Sequence, residues 1–227
     1  DVEDFFDKEE LLYAVKMSEE METKKKLLQE FARIYPEDYR GYNNLGAISM
    51  KQGYTDDALE YLTIADKKSE NNPAVLNNLG VVHLNKGNHG EALANLQDAY
   101  AAKSMKETAF NIGVIYEKTA NYSMGTDMFA KAEDLSCSDY NNALCKLLTG
   151  DLSGAKAAAE NAIRADKERA LNYYLLAVIG ARSADVQLMS LNLKRAIRID
   201  ASLAEKARND LEFRRYWDNS EFKVATK

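Results

Sequence analysis

Residues 42–53 read YNNLGAISMKQG and residues 76–87 read LNNLGVVHLNKG. Asn-Asn-Leu-Gly is therefore written twice, 34 residues apart, inside stretches whose apolar spacing is helical. Asn and Gly are poor interior helix residues, costing roughly 0.6 and 1 kcal/mol against Ala. A cost repeated at a fixed interval points to a contact that needs those residue types. Working outward, Gly46, Gly80 and Gly113 form one register; Ala58, Ala92 and Gly125 form a second, and Ala65, Ala99 and Ala132 a third. Later copies place Ala155 with Ala162, and Met189 with Ala196.

Between these markers the apolar residues recur at three and four, as in EFARIY, ALEYLTIA and NLKRAIRI, and no alternating strand pattern persists. Helical stretches are broken by short turns such as KQGYTD, NKGNHG and KTANYS. The expectation is an all-α chain. On the first marked helix Tyr42, Leu45, Gly46 and Ser49 share a face. Gly46 would let the following helix come close, with Ala58 as the facing small residue. Pro73 fits the first position of a helix capped by Asn72.

Composition sets outer limits. Of 227 residues, 46% are hydrophobic and 29% charged, ample for a core and a charged surface. The net charge of −6 argues against a general nucleic-acid binder and against an anionic membrane surface. No apolar run approaches the roughly 20 residues that span a bilayer. The chain opens on Asp1 rather than Met, which suggests that a leader or flanking region has been removed.

A period near 34 with two helices per unit, and small residues at these positions, resembles the tetratricopeptide repeat (TPR). The stretches that carry the resemblance are YRGYNNLGAISMKQGYTDDALEYLTIADKKSENN, PAVLNNLGVVHLNKGNHGEALANLQDAYAAK and KETAFNIGVIYEKTANYSMGTDMFAKA, the third with Gly125 where Ala is usual. The resemblance implies a right-handed superhelical solenoid of antiparallel helix pairs with a C-terminal capping helix. Five units follow from it, over residues 39–72, 73–105, 106–136, 137–169 and 170–203. The fourth keeps the turn and second helix, TGDLSGAKAAAENAI. The fifth carries Ala177 in place of the marker glycine and Met189 at a small position. Residues 1–38 read as an acidic start followed by a divergent helical pair, and 204–227 as the capping helix and tail. Trp217 is expected to close that cap. YRGYNNLGA, NNALCKLLTGD and NYYLLAVIGAR also resemble envelope-associated TPR proteins of Bacteroides-type bacteria, which implies a periplasmic or outer-membrane-associated setting, the cytoplasm being the alternative.

The asparagines raise a separate question. Asn44, Asn78 and Asn111 each stand two residues before a marker glycine, about 200° around the helix, so they point away from the packing face. The faces they define are Arg40, Asn44, Ala47 and Lys51; Ala74, Asn78, Val81 and Asn85; and Glu107, Asn111, Val114 and Lys118. In the fourth unit Asn142 takes that position. The resemblance places these faces on the inner wall of the superhelix. An amide both donates and accepts, so a row of amides could hold an extended peptide whatever its side chains. Similar ladders occur in the superhelix of the enzyme that attaches N-acetylglucosamine to nuclear proteins. The competing reading is that each Asn bonds a neighbouring helix and serves the stack. The candidate site is Arg40, Asn43, Asn44, Lys51, Asn77, Asn78, Asn85, Asn111, Lys118 and Asn142. In the fifth unit Leu171, Leu175, Val178 and Arg182 replace the row, and these leucines are expected to meet the terminal helix. A carboxylate clamp of the chaperone-binding kind is disfavoured, because only Arg40, Lys51 and Lys118 supply charge.

Candidates for chemistry are few. His83 and His89 lack a carboxylate–His cluster, and Cys137 and Cys145 lack metal-ligand or redox spacing. GDLSG and GNHG lack the Lys-Ser/Thr of a phosphate loop. MSEEMETKKK reads as a helix end and a basic helix start on solvated surface. No metal, cofactor or catalytic constellation is expected. The reading is a non-catalytic scaffold for a protein or extended peptide, with no nucleic-acid partner and no membrane insertion. The alternative is a spacer or self-assembly segment of a larger cell-envelope protein.

Overall fold

The structure, a computed structural model, describes residues 7–133, 135 and 137–227. By contact density it divides into two compact units, Asp1–Ile115 and Tyr116–Lys227. All regular structure among the described residues is helical. No helix among them is long and apolar enough to cross a membrane.

The N-terminal unit runs α1 (Lys8–Met17), α2 (Met21–Ile34), α3 (Tyr39–Lys51), α4 (Thr55–Ser69), α5 (Pro73–Asn85), α6 (His89–Ala102) and the start of α7 (Lys106–Lys118). Helices α1 to α5 each pack on the next in sequence, and α3 also meets α5. Their starts are written in side chains. Asp7 and Glu10 form a reciprocal capping box on α1, Asp38 accepts from the Arg40 amide, and Asn72 accepts from the Ala74 amide ahead of Pro73. Gly53 and Gly87, at φ +82° and +78°, turn the chain out of α3 and α5 in the left-handed region that glycine enters freely.

The marked glycines sit where the helices of a pair meet. A Cβ on Gly46 would stand 2.6 Å from Leu62 Cγ, and one on Gly80 2.4 Å from Leu96 Cγ. Leu62 and Leu96 are themselves fully buried, beside the buried Ala58 and Ala92. Glycine is thus retained against its helix cost because a leucine occupies the space a side chain would need.

The C-terminal unit runs from the end of α7 through α8 (Tyr122–Lys131), α9 (Ser138–Thr149), α10 (Leu152–Ala165), α11 (Ala170–Arg182), α12 (Val186–Ile199), α13 (Leu203–Asn209), a 3-10 turn at Leu211–Tyr216, and α14 (Ser220–Ala225). Its close approach falls at Gly180, not at Ala177, which the period marks. A Cβ on Gly180 would lie 2.6 Å from the backbone nitrogen of Met189. Met189 tolerates its size because the backbones, not the side chains, make the nearest contact there. The turns after α7 and α11 use Ala120 and Ala184, both at φ +59°, where the N-terminal unit uses glycine.

The terminal segment is not one capping helix. Asp210 ends α13, and its carboxylate accepts from the Glu212 amide to start the 3-10 turn. The residues that close the core are Phe213 and Phe222, both fully buried, with the Phe213 ring edge-on to Tyr174 at 5.7 Å. Trp217, expected to close the cap, is about a third exposed (36%).

Candidate functional site

The two asparagines of each doublet have separate tasks. Asn78 on α5 donates its amide N–H to Asn43 Oδ1 on α3, at 2.9 Å. One repeat on, Asn111 on α7 donates to Asn77 Oδ1 at 3.2 Å, and the Thr108 hydroxyl donates to the same oxygen at 3.0 Å. The first Asn of a doublet accepts from the next helix in the series, and the second donates to the one before. The third unit breaks the doublet: Phe110 stands beside Asn111, where the next acceptor amide would be, and Asn-Asn returns only at Asn141-Asn142. Asn78 and Asn111 are therefore partly committed to the stack.

Asn44 heads the series and makes no side-chain hydrogen bond among the described residues. It lies in a cleft of about 500 Å³ between α1, α2 and α3. The cleft takes Arg40, Asn43, Asn44, Ala47 and Lys51 from α3, Leu12, Val15 and Lys16 from α1, and Lys24 and Leu28 from α2. Four of the predicted residues, Arg40, Asn43, Asn44 and Lys51, are thus brought together. Lys16 and Lys24 were missed. Lys24 belongs to the run read as plain solvated surface, and neither position carries the repeat's register. That α1 and α2 pack beside α3 is the signal that places them.

Charge in the cleft is uneven. Arg40 is committed: its guanidinium holds Asp38 at 2.8 Å and Glu9 at 2.8 Å, and Lys8 adds a third contact to Asp38 at 3.0 Å. The Arg40 guanidinium, joined by the Arg40 amide and Lys8, holds the Asp38 carboxyl well below the usual carboxylate range. Lys16, Lys24 and Lys51 have no ion-pair partner among the described residues.

No protein-family model and no curated protein matches the chain. Solved structures do. Pseudomonas aeruginosa pilF aligns at 15% identity and TM-score 0.73, over 88% of this chain and 90% of its own. YrrB, a TPR protein with an unusual peptide-binding site, aligns at 18% identity and TM-score 0.68, over 81% of this chain and 98% of its own. The Cut9–Hcn1 APC/C hetero-tetramer aligns at 14% and TM-score 0.71 over 92% of this chain, which spans only 40% of that longer one. The fold is that of the tetratricopeptide-repeat proteins.

Within this TPR fold the remaining predicted residues are dispersed. Asn85 and Lys118 are exposed at the ends of α5 and α7. Asn142, in the C-terminal unit, is half-buried with a buried Oδ1 that has no hydrogen-bond partner among the described residues. Near it on α9, burial pushes the Cys145 thiol up to about 12, with the charge of Glu117 adding to the rise. Cys137 and Cys145 are both free thiols. Among the described residues no group of three His, Cys, Asp or Glu could hold a metal ion.

Of the apolar residues expected to meet the terminal segment, Leu175 and Val178 are buried in a core that includes it, and Leu171 is exposed. Leu171, Leu175 and Val178 of α11 line an open hollow of about 200 Å³ with Leu144 and Leu148 of α9. The terminal segment reaches it only through Lys206 and Glu212, the latter paired with Arg182 at 2.5 Å. Phe213 and Phe222 of that segment nonetheless share one buried core with Leu175 and Val178.

Proposed function

We propose that the chain is a non-catalytic protein-binding scaffold whose N-terminal unit holds an extended partner segment in the cleft between α1, α2 and α3. The observation that carries this reading is the Asn44 amide, without a side-chain hydrogen bond among the described residues, beside Asn43, whose NH2 group has none there while its oxygen accepts from Asn78. Together they present donors and an acceptor to a peptide backbone without selecting its side chains. Ala47 and Ile48 leave an apolar wall next to them. Helical-repeat folds serve many binding tasks, so the fold permits this role without selecting it.

Asn44→Ala separates this role from stacking. The melting temperature of the variant stays at the wild-type value or rises slightly, since no internal bond is lost and Ala is the better helix former by about 0.6 kcal/mol. Affinity for several unrelated unstructured peptides falls together, roughly two- to ten-fold for one neutral hydrogen bond of about 0.5–1.5 kcal/mol. Unchanged peptide affinity in Asn44→Ala, measured by fluorescence polarisation on the folded variant, contradicts the reading.

A further inference from the structure

The cleft of the N-terminal unit is lined by four cations and no carboxylate, in a chain whose net charge is −6. The cations come from three helices. Lys16 stands in the last turn of α1, Lys24 in the first turns of α2, and Lys51 closes α3 alongside Arg40 near its start. Arg40 is already satisfied by Asp38 and Glu9. The three lysines are not, among the described residues, and they stand around a floor of Leu12, Val15, Leu28, Ala47 and Ile48. Like charges gathered without counter-charge repel one another, so their convergence is relieved when an anion enters.

We propose that the occupant of this cleft is an acidic segment of a partner protein, its Asp or Glu side chains meeting Lys16, Lys24 and Lys51 while its backbone lies on Asn43 and Asn44. The proposal rests on the peptide-holding reading above and adds the chemistry of the peptide. Lysine favours this occupant over a single tightly held carboxylate. Each ammonium is a mobile point charge without the fixed fork of arginine, suited to acids spaced along an extended chain. The apolar floor favours a polypeptide, whose acids can alternate with Leu or Val, over a nucleic acid. The surrounding negative chain also repels a polyphosphate backbone that extends past the cleft.

The test uses short, unstructured, labelled peptides of matched length, built from Ser, Gly and Leu and carrying Asp, Asn or Lys at alternate positions. A single-stranded oligonucleotide of similar length is a fourth probe. On the wild-type chain at low salt the Asp peptide binds tightest, and its advantage over the Asn peptide shrinks as salt rises, as expected for a screened contact. The triple variant Lys16→Glu, Lys24→Glu, Lys51→Glu loses roughly ten- to a hundred-fold in affinity for the Asp peptide, from two exposed pairs and one half-buried one. A control with the same charge change at exposed Lys67, Lys103 and Lys194 keeps affinity within about twofold of wild type, and circular dichroism shows that both variants stay folded. Equal binding of the Asp, Asn and Lys peptides overturns the acidic occupant and leaves the peptide-holding reading intact. Binding of none of them overturns both. Tighter binding of the oligonucleotide, lost in the Lys16/Lys24/Lys51 variant, overturns the protein partner in favour of a nucleic acid.

Discussion

In the N-terminal unit the open hollow beside the helices is lined by amides and lysines; in the C-terminal unit it is lined by leucines, some of them part of the core. Asn43 and Asn78 join α3 to α5 by a hydrogen bond and leave a cleft of about 500 Å³ beside them. On α9 and α11 the comparable hollow is about 200 Å³ and lined by Leu144, Leu148, Leu171, Leu175 and Val178. The joints differ as well. Gly46 and Gly80 of the N-terminal unit face a leucine side chain, whereas Gly180 faces the backbone of Met189. Helix hairpins can therefore be joined by polar bonds that leave functional groups over, or by closer apolar packing that leaves none.

The sharpest way to break this contrast is to add one methyl group to each joint. Gly180→Ala forces two backbones apart and should cost about 3 kcal/mol, the upper end of ordinary overpacking. Gly80→Ala pushes on Leu96, which can shift, and about 1 kcal/mol of helix propensity returns, leaving a net loss of about 1 kcal/mol. Denaturant titrations of the two variants give the order. Equal losses would mean that the two joints are not different in kind.

Asparagines provide the next comparison. Asn172, buried in the C-terminal unit, donates to the carbonyls of Ala162 and Asp166 at 2.9 and 3.1 Å, tying the end of α10 to α11. Asn172→Ala leaves those carbonyls short of a donor in the interior and should cost about 1–3 kcal/mol. Asn78→Ala loses one half-buried bond and regains helix propensity, for a net change of a few tenths of a kcal/mol. An Asn78 variant as damaged as the Asn172 variant would show that the amide row is chiefly structural.

Much of this was legible in the sequence. The glycine interval gave the helix pairing, and Gly46 and Gly80 sit where close approach requires them. The period could not give Gly180, because a backbone contact between α11 and α12 leaves no small residue at the expected partner position. Nor could it give Lys16 and Lys24, which lie on helices outside its register and reach the cleft only through tertiary packing. The asparagine doublets were ambiguous for a physical reason. An amide can bond a neighbour and a ligand at once, and only the distances show which of its atoms are spent.

The ends of the two units should differ under acid. Helix α1 is tied to α3 through Lys8, Asp38, Arg40 and Glu9. Asp38 titrates below its unfolded value of about 3.9. Its contribution is therefore present above that value and is lost as pH falls through the folded one. Protection factors of α1 amides, corrected for the intrinsic exchange rate, should fall as pH drops below about 4, and Asp38→Asn should flatten that dependence. The segment around Phe213 and Phe222 adds the Arg182–Glu212 pair and the Tyr174–Asp210 hydrogen bond to a core of apolar burial, and should lose less protection over the same window. Equal loss at both ends would contradict the contrast.

The smallest effect belongs to the turns. Ala120 and Ala184 hold the left-handed conformation that Gly53 and Gly87 hold in the other unit. Ala184→Gly removes a strain of roughly 1 kcal/mol and returns some unfolded-chain entropy, so stability should rise by less than about 1 kcal/mol. Gly87→Ala should lower it by a similar amount, and thermal melts of the pair check both signs.

The central claim, that the amide-lined cleft and not the leucine-lined hollow receives the partner, is tested most directly by nuclear magnetic resonance. An unlabelled Asp-bearing peptide is titrated into 15N-labelled protein while side-chain amide and backbone signals are followed. The account predicts progressive shifts of the Asn43 and Asn44 side-chain NH2 signals and of the backbone around Lys16, Lys24 and Lys51. The signals of Leu148, Leu171 and Leu175 should stay in place. Shifts concentrated at those leucines, with Asn44 unmoved at saturation, would contradict it.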